Sequence, residues 1–222
     1  MKKLCALFLL VAFSMHLAHF TVCANEIRHG NAETRRIALT FDDGPHPYQT
    51  DKILALLEKY GIHATFFVVG ENISYYTDVF RREVAAGHEI GNHTYHHTIF
   101  ASCTESQIKE ELDTTADLIE EITGKRPTLF RPPEGNCTSI ETAASKGYRV
   151  ILWSVDTRDW AKTPTDEIVQ HVENSIKGGS ILLFHDYTAK DAHTLESLEI
   201  LIPRLLAKGY EFVTVSELID GE

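Results

Sequence analysis

Short apolar runs alternate along the chain with amphipathic stretches of helical period. Seven runs have the length and the β-branched or aromatic content of buried strands, at 36–41, 64–69, 89–91, 128–130, 150–154, 181–184 and 212–215. Between them, apolar residues recur on one helical face at 50–60, 75–86, 105–123, 139–146, 165–176 and 195–208. Strands that alternate with helices favour a parallel sheet covered by helices. We therefore expect one α/β domain, a closed or nearly closed β/α barrel, with an open doubly wound sheet as the alternative.

The unusual polar clusters of the chain all follow predicted strands. They are Asp42-Asp43, Asn92-His93, Arg131-Pro132-Pro133, 156–160 and His185-Asp186. The carboxyl ends of parallel strands meet at one rim, and ligands bind there in α/β folds. We therefore expect these side chains to share one site.

Two carboxylates, Asp42 and Asp43, stand side by side where a strand ends, before Gly44 and Pro45 stop it. Like charges this close raise each other's pKa, and a bound cation would relieve that cost. The segment alone is equally compatible with a solvated turn.

A pair of histidines, His93 and His97, follows another predicted strand. A separation of four residues places two imidazoles on one face of a helical turn, a common way to hold a metal ion. With one aspartate they leave coordination positions open for water and substrate, which is typical of a catalytic site. Such pairs also occur on metal-free surface helices, and His96 competes with either histidine as a ligand.

Residues 1–24 have the layout of a secretory signal peptide. Lys2 and Lys3 precede an apolar run too short for a comfortable membrane span, and small residues near Ala24 offer a cleavage site. An uncleaved N-terminal membrane tether is the alternative. Residues 25–34 are polar and are interpreted as a flexible lead-in to a domain over 35–222. The predicted location is secreted, either extracellular or associated with the cell wall.

Composition narrows the range of partners. The chain of 222 residues is 43% hydrophobic, as in soluble globular proteins, and its net charge of −11 becomes more negative once the leader is lost. This charge argues against nucleic acid or an anionic membrane surface as a partner, and no stable membrane partner is expected. It fits a neutral or cationic substrate. We expect a monomer.

Two of the four cysteines, Cys103 and Cys137, lie outside the predicted leader. Cys103 falls six residues after His97, and Cys137 falls six residues after Arg131, so both are expected in rim loops. Export permits a disulfide between them, and two free buried thiols are the alternative.

Five motifs resemble, in order, those of the polysaccharide deacetylases, also called the NodB-homology or carbohydrate esterase family 4 domain. They are Thr40-Phe41-Asp42-Asp43-Gly44-Pro45, His93-Thr94-Tyr95-His96-His97, Arg131-Pro132-Pro133-Glu134-Gly135, Asp156-Thr157-Arg158-Asp159-Trp160 and Leu183-Phe184-His185. Five motifs in register are far more specific than any one alone. The resemblance implies a distorted (β/α) barrel of about seven strands. It also implies a metal-dependent hydrolase that removes N-acetyl groups from a sugar polymer.

The resemblance further implies roles for individual residues. It assigns the metal to Asp43, His93 and His97, the general base to Asp42 and the general acid to His185. Two histidines and one aspartate suit Zn²⁺, and Co²⁺, Ni²⁺ or Mn²⁺ could occupy such a site.

Supporting roles follow from the same resemblance. Asp159 would orient the general acid and Arg131 the general base, while Leu183 would line an acetyl pocket and Trp160 would form a wall for a sugar ring. Glu134 departs from the family, in which an aromatic residue is common at this position. A backbone role in stabilising an oxyanion survives that change. The added negative charge predicts altered substrate preference, with a bias against acidic glycans.

The implied substrate is a glycan that contains N-acetylglucosamine, of the peptidoglycan or chitin type. An O-acetyl esterase on xylan or a similar glycan could use the same site and is one alternative. A non-catalytic glycan-binding protein is another.

Overall fold

The computed structural model describes residues 26–188 and 192–221. Nine strands form one sheet in which all paired strands run parallel. They are β1 (Glu26–Ile27), β2 (Arg36–Asp42), β3 (Thr65–Val68), β4 (Glu89–Asn92), β5 (Leu129–Phe130), β6 (Arg149–Ile151), β7 (Val155–Asp156), β8 (Ile181–His185) and β9 (Glu211–Val213). The predicted signal peptide lies outside the described residues and stays a prediction.

Strand β2 lies between β3 and β8 in the strand order β1-β6-β5-β4-β3-β2-β8-β7, and β9 pairs with the start of β2. The sheet is a half-barrel surrounded by helices, which confirms the predicted barrel of parallel strands in an incompletely closed form. All seven predicted strands are present, whereas β1 and β7 were not predicted. These two strands, like the predicted β5, have only two residues, which is too few to show a hydrophobic period on their own.

The helices are α1 (Gln49–Tyr60), α2 (Gly70–Tyr75), α3 (Thr77–Ala85), α4 (Glu105–Thr123), α5 (Glu141–Ser145), α6 (Thr165–Ser175), α7 (Thr194–Ala207) and α8 (Val215–Asp220). The helix predicted at 75–86 corresponds to α3 and begins two residues later than predicted, because Tyr76, whose φ of −128° and ψ of 43° are not helical, separates it from α2. The short helix α2 was not predicted. Among the described residues, no helix has both the length and the apolar content needed to cross a membrane.

The segment interpreted as a flexible lead-in contributes the strand Glu26–Ile27 to the sheet. Strand β1 pairs with β6, with Ile27 opposite Ile151, and the Gly30 N–H donates to the Gly179 carbonyl at 2.8 Å. Ile27 also packs against a buried apolar cluster. The interpretation is therefore wrong for these residues, because their backbone covers an otherwise unpaired edge of β6.

Alternation along β2 sends its side chains to two different environments. Ile37, Leu39 and Phe41 join the large apolar cluster beneath the helices. On the opposite face, Thr40 and Asp42 both contact Arg131, which is fully buried. A strand buried on both faces thus carries a polar pair into the barrel interior, directly below the rim.

The predicted disulfide between Cys103 and Cys137 is not formed, because the Cys103 thiol is free. Both side chains pack against an apolar cluster that includes Phe100, Phe130 and Tyr148. The Cys103 thiol donates to the Ile99 carbonyl at 3.5 Å. Loop position predicted the neighbourhood of each cysteine, but it does not fix the distance between them, which decides whether a bridge can form.

Candidate active site

The end of β2 brings two aspartates to the rim. Asp42 is the last residue of the strand and is 3% exposed, whereas Asp43 breaks the strand with a left-handed φ of 78°. The Asn72 amide donates to the Asp43 carbonyl at 2.7 Å, and the Gly44 N–H donates to Asp186 Oδ1 at 3.0 Å. Burial raises the pKa of Asp186 to about 7. These contacts fix the loop that carries Asp43.

The two histidines lie on a loop, so the prediction that they share a helical turn is wrong. Strand β4 ends at Asn92, and both Thr94 and His97 have positive φ, of 68° and 57°. The Thr94 N–H donates to Asn92 Oδ1 at 2.9 Å, and the Thr98 N–H donates to Thr94 Oγ1 at 2.9 Å. Local side-chain hydrogen bonds, rather than a helical ladder, therefore set the direction of both imidazoles.

Helices α2 and α4 hold this histidine loop from two sides. Glu111 Oε2 accepts hydrogen bonds from the N–H groups of Tyr95 and His96, both at 2.9 Å. Glu111 Oε1 lies 2.7 Å from His96 Nδ1, so the alternative ligand His96 is engaged with a carboxylate on α4 instead. The first two amides of α2 donate to loop carbonyls at 3.0 and 2.9 Å.

The side chains of Asp43, His93 and His97 converge, and their ligand atoms all lie within 4.8 Å of one another. Asp43 Oδ1 is 3.4 Å from His93 Nε2 and 3.3 Å from His97 Nε2. This oxygen is buried and has no hydrogen-bond partner within the described chain. His93 Nδ1 lies 2.7 Å from the Arg131 carbonyl, and donation to that carbonyl leaves a lone pair on Nε2. Imidazole nitrogens that lie close to a carboxylate oxygen without a hydrogen-bond partner form a ligand set that suits a divalent cation.

Charges in this cluster shift the pKa values of its members. Burial acts to raise the pKa of Asp43, but His93 and His97 hold it well below its usual range. In turn, Asp43 raises the pKa of His97. The carboxylate is therefore ionised at neutral pH, as a metal ligand must be.

Asp42 lies beside this cluster, and the buried Arg131 side chain orients its carboxylate. Its Oδ2 is 3.8 Å from His93 Nε2, and its Oδ1 accepts a hydrogen bond from Arg131 Nη1 at 2.6 Å. Arg131 also donates to the Leu152 carbonyl at 3.1 Å and the Ile151 carbonyl at 3.3 Å. A guanidinium held at several points fixes the direction of the Asp42 carboxylate.

His185 ends β8 and pairs with a fully buried carboxylate. The ring Nδ1 of His185 lies 2.8 Å from Asp159 Oδ1, and the backbone N–H of His185 donates to Asp159 Oδ2 at 2.9 Å. The Thr194 hydroxyl donates to the same Oδ2 at 2.7 Å. Burial acts to lower the pKa of His185, but Asp159, followed by Asp42 and Asp43, raises it to about 9. The imidazole is therefore a charged proton donor at neutral pH.

An open cavity of about 470 Å³ lies over these groups. It is lined by Asp42, Asp43, His93, His97, Glu134, Trp153, Asp156, Trp160, Leu183 and His185. Of the residues predicted to act in catalysis, metal binding or substrate binding, only Arg131 and Asp159 do not line the cavity, and both are fully buried. Glu134 is exposed at the edge with a left-handed φ of 55°, and Trp160 is 53% exposed.

Sequence reasoning gave no role to four residues that shape this site: Asn72, Glu111, Trp153 and Asp186. Asp186 belongs to a predicted polar cluster, so its position at a strand end was a usable signal. Asn72 and Glu111 lie on helices and act through hydrogen bonds to loop backbone, for which no spacing along the chain gives a signal.

Comparison with known proteins agrees with this geometry. The family model described as polysaccharide deacetylase matches residues 29–151. A peptidoglycan-N-acetylglucosamine deacetylase of Bacillus cereus is 39% identical over 187 residues, which cover 82% of this chain and 87% of that protein.

Two solved structures have the same fold. A crystal structure of a peptidoglycan N-acetylglucosamine deacetylase superposes with a TM-score of 0.84 at 32% identity, covering 87% of this chain and 92% of the other. A family 4 acetyl xylan esterase from Clostridium thermocellum, solved with a cobalt ion, superposes with a TM-score of 0.77 at 36% identity, covering 82% of this chain and 89% of the other.

Proposed function

Because the chain belongs to the polysaccharide deacetylase family, we propose that it is a secreted, metal-dependent deacetylase of glycans that contain N-acetylglucosamine. The substrate would be of the peptidoglycan or chitin type, and the products would be acetate and a free amine. One observation carries the proposal. The Asp43, His93 and His97 cluster opens into the same cavity as Asp42 and His185.

The metal would be held by Asp43, His93 and His97. When bound there, a divalent cation would polarise the acetyl carbonyl and make water a better nucleophile. We propose Zn²⁺, because imidazole and carboxylate ligands suit it, with Co²⁺, Ni²⁺ and Mn²⁺ as alternatives.

Asp42 supplies the base for the first half of the reaction. Its carboxylate, fixed by Arg131, accepts a proton from the water that attacks the acetyl carbon. That water forms the new carbon–oxygen bond of acetate. Since the Arg131 guanidinium is fully buried, the direction of the base is set before substrate binds.

His185 supplies the acid for the second half. An amide nitrogen leaves poorly unless it is protonated, and the charged imidazole donates this proton as the carbon–nitrogen bond breaks. Asp159 holds His185 by Nδ1, which directs the other ring nitrogen away from that contact. The products are acetate and a sugar amine.

Specificity would arise from the walls of the cavity. Leu183 is 3% exposed and offers an apolar contact for an acetyl methyl group. Trp160 is exposed and offers its ring to a sugar face. Glu134 brings a negative charge to the edge of the cavity, which disfavours acidic glycans near the site.

An O-acetyl esterase activity is the second candidate. It is favoured by the structural similarity to the acetyl xylan esterase, since the same base and acid would cleave an ester, which is the easier bond to hydrolyse. A non-catalytic glycan-binding protein is a weaker candidate, because Asp42, Asp43, His93, His97 and His185 are all present in the cavity.

Acetate release tests these candidates directly. Purified protein is incubated with N-acetylglucosamine oligomers, peptidoglycan fragments and acetylated xylan, before chelation, after chelation and after add-back of single metals. We expect release from the first two substrates, loss with chelator and recovery with Zn²⁺. Release from xylan alone would favour the esterase, and none from any substrate would refute the enzyme proposal. Secretion is tested by the mass of the protein recovered from culture medium.

A further inference from the structure

Exposed aromatic side chains of this protein are concentrated around the active-site rim. In the described part of the chain, four large hydrophobic side chains are exposed: Tyr48 by 72%, Tyr75 by 67%, Trp160 by 53% and Tyr187 by 38%. Trp160 lines the active-site cavity, whereas the three tyrosines lie outside its lining. Exposed apolar groups that gather in one place, rather than scatter singly, mark a binding surface.

The three exposed tyrosines form one patch with the half-buried rings of Tyr76 and His46. We define the tyrosine patch as Tyr48, Tyr75, Tyr76 and Tyr187 around His46. The His46 ring lies 4.7 Å from Tyr187, 5.9 Å from Tyr48 and 6.3 Å from Tyr76, centroid to centroid. Tyr75 lies 6.2 Å from Tyr76. Each ring thus contacts a neighbour in the patch, which limits its motion.

The tyrosine patch is continuous with the catalytic groups through the backbone. His46 follows Asp43 by three residues, and Tyr187 follows His185 by two. Helix α2, which ends at Tyr75, also carries Asn72, whose amide binds the Asp43 carbonyl at 2.7 Å. The patch is therefore attached to the metal loop and to the strand of the general acid.

The chemistry of the patch suits neutral sugar rings. A pyranose ring presents a face of C–H groups, which packs on an aromatic ring, while its hydroxyls stay in water or meet polar tips such as the tyrosine hydroxyl. The chain has a net charge of −11, which disfavours anionic partners.

We infer that the tyrosine patch is a second sugar-binding site for the glycan whose acetyl group is cleaved, separate from the cavity bordered by Trp160. This inference rests on the proposed function and deepens it. The preferred substrate is then a chain of several sugars, one of which occupies the cavity while a more distant one packs on the patch.

The test compares two double variants of the two most exposed tyrosines. Tyr48→Ala with Tyr75→Ala removes the rings, and Tyr48→Phe with Tyr75→Phe keeps them as the matched control. Values of kcat/KM are measured on N-acetylglucosamine oligomers of increasing length. For the alanine variant we expect a loss of roughly tenfold on the longest oligomer, from two lost ring contacts. We expect no loss on the shortest oligomer that the unaltered protein cleaves, and none for the phenylalanine variant.

Calorimetric binding of the longest oligomer, in an Asp42→Asn background, separates this inference from the proposed function. If the unaltered protein releases no acetate but the alanine pair weakens this binding, the deacetylase proposal fails and the sugar site stands. Equal losses on short and long oligomers, or unchanged affinity and rates, would overturn the site itself.

Discussion

The Arg131 guanidinium donates a hydrogen bond of 2.6 Å to Asp42 Oδ1, and the arginine side chain has no exposed surface. An ammonium cannot reproduce this fork, because Arg131 also donates to Thr40 and to two backbone carbonyls. We expect Arg131→Lys to lower kcat about a hundredfold through misplacement of the base. It should also lower the free energy of unfolding by about 1–3 kcal/mol per buried acceptor left unpaired.

Arg126→Lys is the control for this substitution. Arg126 meets three acidic side chains on the surface and is 44% exposed, so its loss should cost less than about 1 kcal/mol. Rates and urea unfolding curves of both variants are compared. Equal effects at the two positions would argue against a positioning role for Arg131.

Substitutions of the two adjacent aspartates, Asp42 and Asp43, should affect metal affinity differently. Asp43→Asn removes a ligand of the proposed metal, so zinc affinity should fall sharply, as measured by competition with a chromophoric chelator. Asp42→Asn should leave that affinity within a few-fold but lower kcat by about 10²–10⁴, the usual contribution of a general base. Retention of most activity by Asp42→Asn would contradict the assignment of the base.

The pH profile should report on the pair of His185 and Asp159. A general acid works while protonated, so activity should fall as the pH rises through the pKa of His185, which Asp159 helps raise to about 9. Asp159→Asn removes the negative charge that favours the imidazolium. We expect the alkaline limb of kcat to move to lower pH, followed between pH 6 and 10. An unmoved limb with a lower plateau would mean that Asp159 acts by position alone.

Glu111 should control metal affinity without touching the metal. Its carboxylate accepts two backbone N–H groups in the loop between the histidine ligands. Outer contacts of this kind typically change metal affinity by about 10–100-fold. We expect Glu111→Gln to weaken zinc binding by about tenfold, at the lower end of that range.

The neighbouring Glu110→Gln makes the same change of charge at an exposed position and should leave zinc affinity unchanged. The chelator competition and the thermal midpoint are measured for both variants. A lower midpoint for Glu111→Gln with unaltered affinity would show that Glu111 only stabilises the fold.

The hydrophobic pattern predicted seven of the nine strands and the rim at which Asp42, His93 and His185 meet, since strand direction decides where polar residues emerge. It could not predict how His97 reaches Asp43. That approach depends on positive φ at Thr94 and His97 and on hydrogen bonds to the Glu111 carboxylate of α4. No regular spacing along the sequence indicates either feature. The short strand at Glu26–Ile27 was not predicted, and a free thiol at Cys103 was predicted only as the alternative to a disulfide, because each depends on tertiary packing.

The order of the groups along the chain has a consequence for how function could be lost. The side chains that converge on Asp43 all precede residue 98, whereas the proton donor and the carboxylate that supports it follow residue 158. Substitution of His185 or Asp159 alone can therefore leave a protein that still binds the metal and the glycan but no longer hydrolyses it. A few substitutions around the proton donor could thus convert an enzyme of this fold into a sugar-binding protein without activity.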